Sequence, residues 1–190
     1  PADPSEAEDL LSLLVGIRET GDAAMLSDER IRDQMVTITF AGHDTTTGTL
    51  TFACWALATH PEVRERFHAE VDALDGPPTL ADLNALPVTE RVITETLRLY
   101  PPVYVLPRVS TTDMKMGGYH IPEGERVNTA LWQIQRDERF FEDPHEFRPS
   151  RWDSDLRAEI PDFAYAPFGG GPRICIGREF ALLEAKLALA

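Results

Sequence analysis

The stretch Pro167-Phe168-Gly169-Gly170-Gly171-Pro172-Arg173-Ile174-Cys175-Ile176-Gly177 decides how this 190-residue chain is read. One cysteine sits in a glycine-rich loop, with an arginine two residues before it and a glycine two after. Residues 178–190 follow with a helical pattern. The free N–H groups and dipole of a helix start favour a thiolate over a thiol beside it. Gly169, Gly170 and Gly171 lack β-carbons and let the backbone approach something large and flat. A thiolate in such a cradle suits a soft metal centre.

The rest of the composition sets bounds on that reading. Length and apolar content allow one domain with a real core, and the chain reads as a single, partial domain over 1–190. A net charge of −14 argues against nucleic acid as a partner, which calls for a basic footprint. Two cysteines, Cys54 and Cys175, are too few for a disulfide scaffold and suit a reducing compartment. The longest uncharged run, residues 45–61, is too short and too threonine-rich for a membrane span. No targeting motif is seen, so a cytoplasmic location is expected, with any membrane anchor a matter for sequence upstream. Pro1 replaces an initiator methionine and the last helix stops in mid-pattern, so the chain is expected to be a portion of something longer.

Working along the chain, residues 1–8 read as an acidic loop. Leu10, Leu11, Leu13, Leu14 and Ile17 mark a helix over 9–19, stopped by Gly21. Ser27 is an N-cap candidate, and the pattern then runs helical to His60, where Pro61 blocks continuation. That helix has about 32 residues and spans roughly 48 Å. Its centre, Ala41-Gly42-His43-Asp44-Thr45-Thr46-Thr47-Gly48, sets two glycines, an acid and three threonines in a helix expected to be buried. Such local conflict points either to function or to a contact that needs small residues. Cys54, in mid-helix, reads as a buried inert thiol.

Further helices are predicted over 61–74 and 87–99, with a short helical piece at 79–85. Glu95 and Arg98 share a face of the 87–99 helix at i, i+3. After Pro101-Pro102 the character changes. Residues 103–109, 114–116, 119–121 and 126–129 read as short strands of a small antiparallel region. One short helix is expected within 131–141, and 142–161 is a long, tied-down loop. The fold class is therefore mainly α with a small antiparallel β region.

Four of these stretches together resemble the cytochrome P450 family of haem-thiolate monooxygenases. The cysteine loop from Phe168 to Gly177, with Ala181 behind it, resembles the family's haem-binding signature. Ala41-Gly42-His43-Asp44-Thr45-Thr46 resembles the oxygen-activation segment of its long central helix. Glu95-Thr96-Leu97-Arg98 resembles its Glu-x-x-Arg pair. Phe147-Arg148-Pro149-Ser150-Arg151-Trp152 resembles the segment whose arginine completes that pair. Glu-x-x-Arg alone is unspecific, since it recurs at Glu29/Arg32 and Glu123/Arg126. Only Glu95/Arg98 is followed by Leu-Tyr-Pro-Pro. The likeness is to the C-terminal portion of a family member: long central helix, Glu-x-x-Arg helix, β-hairpins, meander loop, cysteine loop and final helix. Gln135 stands where members often carry histidine and Ser150 where many carry glutamate, and neither position is given a chemical role.

The resemblance implies roles residue by residue. Cys175 would be the axial thiolate ligand of the iron of haem b (iron protoporphyrin IX), pushing electron density toward it. Arg173 would pair with a haem propionate, with Arg108 as the second candidate against the alternative of a surface strand arginine. Phe168 would pack beside the thiolate, and Gly169 and Gly177 would shape its loop. Thr45 would donate a hydrogen bond to dioxygen, and Asp44 would relay protons through water. Adjacent helical residues point about 100° apart and cannot both face one group. His43 reads as helix packing or solvent contact. Glu95, Arg98 and Arg151 would form a buried structural charge cluster. Ala41, Val103 and Leu106 would line the substrate side.

The activity this implies is insertion of one oxygen atom of dioxygen into a small, hydrophobic organic substrate. The electrons would come from NAD(P)H through a ferredoxin or flavin reductase. Two other readings stay open at this stage: a peroxide-using or isomerase-type haem-thiolate enzyme, and a portion without activity of its own.

Overall fold

The computed structural model describes residues 9–20 and 27–190. The opening loop and the stop at Gly21 lie outside the described residues. The chain falls into two compact units, Pro1–Asp44 and Thr45–Ala190.

The first unit holds α1 (Leu10–Thr20) and the beginning of α2 (Asp28–Thr59). Asp9 caps α1, accepting the Ser12 N–H and hydroxyl at 2.8 Å each. Those bonds, the N–H contribution first, hold the Asp9 carboxyl below the usual aspartate value. Ser27 caps α2 as its position suggests, its hydroxyl accepting the Arg30 N–H at 3.3 Å. Arg18 pairs with Asp28, and Ile31 is buried.

The second unit holds the rest of α2, then α3 (Pro61–Val71), α4 (Pro87–Leu99), α5 (Leu131–Ile134), α6 (Leu156–Glu159) and α7 (Arg178–Leu189). Short 3-10 turns occupy Leu80–Ala85, Pro149–Asp153 and Gly171–Arg173. The strands are β1 (Val105–Val109), β2 (Met114–Met116), β3 (Tyr119–Ile121) and β4 (Arg126–Ala130). They form two separate antiparallel pairs. β1 lies on β4 with Val105 opposite Ala130 and Val109 opposite Arg126, and β2 lies on β3 with Met116 opposite Tyr119. Gly117 and Gly118 both take positive φ (58° and 86°) between β2 and β3, as a tight two-residue hairpin turn requires.

The element at the heart of this unit is α4, although α2 is the longer helix. Every residue from Val92 to Leu99 is buried, including Thr94, Glu95, Thr96 and Arg98. One side of α4 packs Val92 and Leu99 against Ala53, Ala56 and Leu57 of α2, Phe67 of α3 and Phe147. The other side packs Ile93 and Leu97 against Ala185 of α7, with Phe168 and Leu182 around them. Pro87 starts α4 without an N–H, and the next two donors need acceptors. Glu70 of α3 supplies both, at 2.6 Å to the Val88 N–H and 2.8 Å to the Thr89 N–H, and also takes the Thr89 hydroxyl at 2.7 Å.

The centre of α2 is more open than its sequence suggests. Ala41, Gly42, His43, Asp44 and Thr47 are exposed. The buried stripe is Thr46, Thr49, Ala53, Ala56 and Leu57, a spacing of three and four residues along one helix face. Cys54 is exposed, correcting the expectation of a buried thiol: it lies about 100° around the helix from Ala53. A β-carbon on Gly42 would meet no atom within 4 Å, and one on Gly48 would touch only Pro102 at 3.9 Å. Close packing therefore does not account for the two glycines. Among the described residues no helix is long and apolar enough to cross a membrane.

Candidate functional site

The cysteine loop is folded onto itself. The Gly169 N–H donates to the Ala166 carbonyl at 2.9 Å and the Cys175 N–H to the Phe168 carbonyl at 3.0 Å. Gly169 and Gly171 sit at φ +71° and +66°, left-handed conformations that favour glycine. Gly177 precedes α7 and its carbonyl accepts the Ala181 N–H at 2.8 Å. Cys175 is exposed, two residues before that cap. A β-carbon on Gly177 would stand 4.0 Å from the Cys175 sulfur, an ordinary contact. Ile174, Ile176 and Phe180 flank the thiol in sequence and are 42%, 95% and 70% exposed. Three large apolar side chains left open beside one thiol mark a surface built to be covered.

Phe168 does two things. Its ring packs onto the Ile93–Leu97–Ala185 cluster, and its carbonyl fixes the Cys175 backbone. Beneath the loop lies a cavity of about 170 Å³ lined by Phe163, Tyr165, Phe168, Ile174 and Leu182 among others. The Tyr165 hydroxyl donates to the Thr94 carbonyl at 3.1 Å, and burial first of all pushes its pKa well above the usual tyrosine value.

Gly170 has a steric reason of its own to be glycine. A β-carbon there would stand 2.2 Å from the Phe163 ring. Phe163 itself takes φ +68°. Gly170→Ala is expected to cost about 1–3 kcal/mol by overpacking, read by urea denaturation. Most of that loss should return in Gly170→Ala/Phe163→Ala, and a double variant no more stable than Gly170→Ala would refute the steric account.

Two guanidinium groups, one in this loop and one on β1, have no acidic partner among the described residues. Arg173 is exposed and makes no ion pair among the described residues. Arg108 of β1 is exposed and donates only to the Pro107 carbonyl, at 2.8 Å. Leu106 of the same strand reaches to 3.4 Å from where a Gly169 β-carbon would stand. Alternate strand residues share a face, so Arg108 lies on the face that Leu106 turns to the loop. Leu106 is half-buried and Val103, ahead of the strand, is exposed.

Glu95, Arg98 and Arg151 come together in the buried interior. Arg98 is fully buried and spends every N–H: two bonds to Glu95 (2.9 and 2.8 Å) and three to the carbonyls of Gln135, Pro144 and Glu146 (2.9, 2.7 and 3.0 Å). Glu95 also receives Arg151 Nε at 2.8 Å, the Arg148 N–H at 3.0 Å and Trp152 Nε1 at 2.8 Å. Arg151 donates onward to the carbonyls of Glu142 and Asp143. Burial alone would raise the Glu95 pKa. The hydrogen bonds and charge of Arg98, then the charge of Arg151 and the Arg148 N–H, outweigh it and hold the carboxyl below its usual value. The cluster ties α4 to the 142–153 segment.

The sequence gives Gln135 no role, and the structure gives it one. It is fully buried and hydrogen-bonded to both the end of α4 and Ala166 at the head of the cysteine loop. Nothing local distinguishes it from Gln133 two residues earlier, because its partners lie more than thirty positions away. The roles of Trp152 and Glu70 are likewise not legible locally, because their partners lie far away in sequence.

Among the α2 residues, Ala41 and Asp44 belong to the first unit and Thr45 to the second. Asp44 is exposed with Oδ1 2.9 Å from His43 Nδ1. Thr45 is half-buried and its carbonyl accepts the Thr49 hydroxyl at 2.9 Å. Thr46, its buried neighbour, reaches Glu184 of α7 at 3.4 Å.

A mainly α body with small β-hairpins, an exposed thiol before its last helix and a buried Glu–Arg–Arg cluster defines a class, and comparison with known proteins agrees with it. The Cytochrome P450 family model matches residues 2–190. Cytochrome P450 4d2 of Drosophila melanogaster is 43% identical over 90% of this chain and 35% of its own length. Pentalenene oxygenase of Streptomyces avermitilis is 40% identical over 99% of this chain and 42% of its length. Cyclooctat-9-en-7-ol 5-monooxygenase of Streptomyces melanosporofaciens is 40% identical over 96% of this chain and 40% of its length. The chain belongs to the cytochrome P450 family, and it spans about two-fifths of the length of these relatives.

Proposed function

We propose that this chain is the haem-binding portion of a monooxygenase. The whole enzyme takes electrons from NAD(P)H through a ferredoxin or flavin reductase and places one oxygen atom in a small, hydrophobic organic substrate. The observation that carries the reading is the setting of Cys175. An exposed thiol at the approach to α7 is fixed through its N–H by the Phe168 carbonyl. It is flanked by the open side chains of Ile176 and Phe180, and Arg173 and Arg108 are exposed, with no acidic partner among the described residues.

That donor set fits haem b: a thiolate for the iron, apolar side chains for the macrocycle, guanidinium forks for its two propionates. When bound, the haem supplies cleavage of dioxygen, one atom going to the substrate and the other leaving as water. The protein's own residues do the rest. Cys175 would hold the metal, and Gly169 and Gly171 let the loop fold back so that the Phe168 carbonyl fixes the Cys175 backbone. Thr45 donates a hydrogen bond on the dioxygen side and Asp44 passes protons. Val103 and Leu106 would line the substrate side. The names of the two Streptomyces relatives state oxygenation and support the reaction class.

The test compares oxidants in the full-length protein. Thr45→Ala is expected to lose about 10²-fold of the product made with NAD(P)H and reductase, the scale of one proton-transfer contribution. Product made with peroxide, which brings its own protons and electrons, should hold within about twofold. An equal loss with both oxidants would contradict the role given to Thr45.

A further inference from the structure

Gln135 makes contacts that join α4 to the cysteine loop. Its Nε2 donates to the carbonyls of Leu97 and Arg98 at 2.9 and 3.0 Å, and its Oε1 accepts the Ala166 N–H at 3.0 Å. Its backbone carbonyl takes Arg98 Nη1 at 2.9 Å. Leu97 and Arg98 lie in the last turn of α4, where carbonyls lack a partner within the helix. A carboxamide meets this need from one buried position: two N–H donors on one side, an oxygen on the other. Turned about, it would set its oxygen against two carbonyls and its NH₂ against an N–H. From Ala166 the hydrogen bonds continue through Gly169 N–H to Ala166 carbonyl and Cys175 N–H to Phe168 carbonyl.

We infer that Gln135 is a positioning residue for Cys175: it sets where the head of the cysteine loop lies against the end of α4 and so where the thiol stands. Histidine, with one N–H and one bare nitrogen when neutral, could serve Ala166 and one α4 carbonyl but not both. Glutamate would face two carbonyls with a carboxylate oxygen. The link from Gln135 to the loop is independent of any ligand. Only its consequence for the iron rests on the haem-thiolate reading above.

The test is amide hydrogen exchange in the full chain without haem, comparing wild type with Gln135→Met, which keeps the volume and removes the hydrogen bonds. The Ala166, Gly169 and Cys175 amides are expected to exchange about tenfold faster, while those of α3 stay within twofold. Unchanged exchange at the three loop amides in a folded variant overturns the proposal, as does an equal acceleration everywhere, which would mark a merely structural role. If Gln135→Met does not fold, Gln135→Leu carries the same test: it too removes the acceptor of the Ala166 N–H and both donors to α4, and the same three amides must quicken against a steady α3. A second arm reads the carbon monoxide spectrum of the reduced, haem-loaded full-length protein. The variant should show a smaller thiolate-type fraction than wild type, and an equal fraction would sink the claim that Gln135 positions the ligand. If wild type and Cys175→Ala give one spectrum, the haem-thiolate reading fails and the exchange arm still judges Gln135.

Discussion

Arg98→Ala is expected to destabilise the protein by about 3–5 kcal/mol, the usual consequence of leaving a buried charge without its partner. Glu95 is fully buried and would keep only Arg151, the Arg148 N–H and Trp152. The Gln135 and Pro144 carbonyls would lose the Arg98 donor altogether. A domain has only about 5–15 kcal/mol to lose, so the variant should express poorly and melt far below wild type. Arg98→Lys should recover little, because three donors at one point cannot span five in a planar fork. Urea denaturation decides the matter: a loss under about 1 kcal/mol would contradict the role given to the cluster. Acid provides a second check. The folded Glu95 carboxyl titrates below the ordinary value of 4.5, so its contribution is complete above that value and fades as pH falls below it. Asp137 acts in the same direction, its pKa held at about 2 by hydrogen bonds from Arg139. The melting temperature should therefore be level from pH 7 to about 5 and fall below 4.5.

Cys175→Ala carries the largest expected functional effect. In the proposed enzyme the sulfur is the one protein ligand to the metal and the source of the electron density that favours O–O cleavage. Product should vanish with NAD(P)H and reductase and also with peroxide, which separates this variant from Thr45→Ala. Stability should change little, because Cys175 is exposed and its side chain makes no hydrogen bond among the described residues. A variant that unfolds would show that the thiol side chain has a packing role its setting does not suggest. Chemical denaturation without haem and product analysis with it are the two measurements.

Local signals were legible in the sequence and long-range ones were not. Ser27 and Pro61 bracket α2 because a cap and an imide act on their immediate neighbours. Gly117-Gly118 marks the β2–β3 turn for the same reason. The cysteine loop could be read because its glycines, arginine and thiol are contiguous. The burial of α4 on all sides could not, since its pattern is polar at Thr94, Glu95, Thr96 and Arg98: the two threonine hydroxyls bond back to carbonyls of their own helix, but the charged pair also needs Arg151, Trp152 and the carbonyls of Gln135, Pro144 and Glu146 from distant sequence. The contact of Gly170 with Phe163, seven residues earlier, was not legible either, because it depends on how the chain folds back. Gln135 looked like a neutral exchange and fills three hydrogen bonds to residues more than thirty positions away. Cys54 looked buried because its neighbours Ala53 and Ala56 are, yet one step around the helix faces solvent.

The central claim is that Cys175 presents a thiolate to haem iron. It is tested most directly by loading the full-length protein with haem, reducing it under carbon monoxide and recording the Soret band of wild type beside that of Cys175→Ala. The account predicts a red-shifted thiolate-type band in wild type and its complete loss in the variant. The same band in both proteins would contradict it.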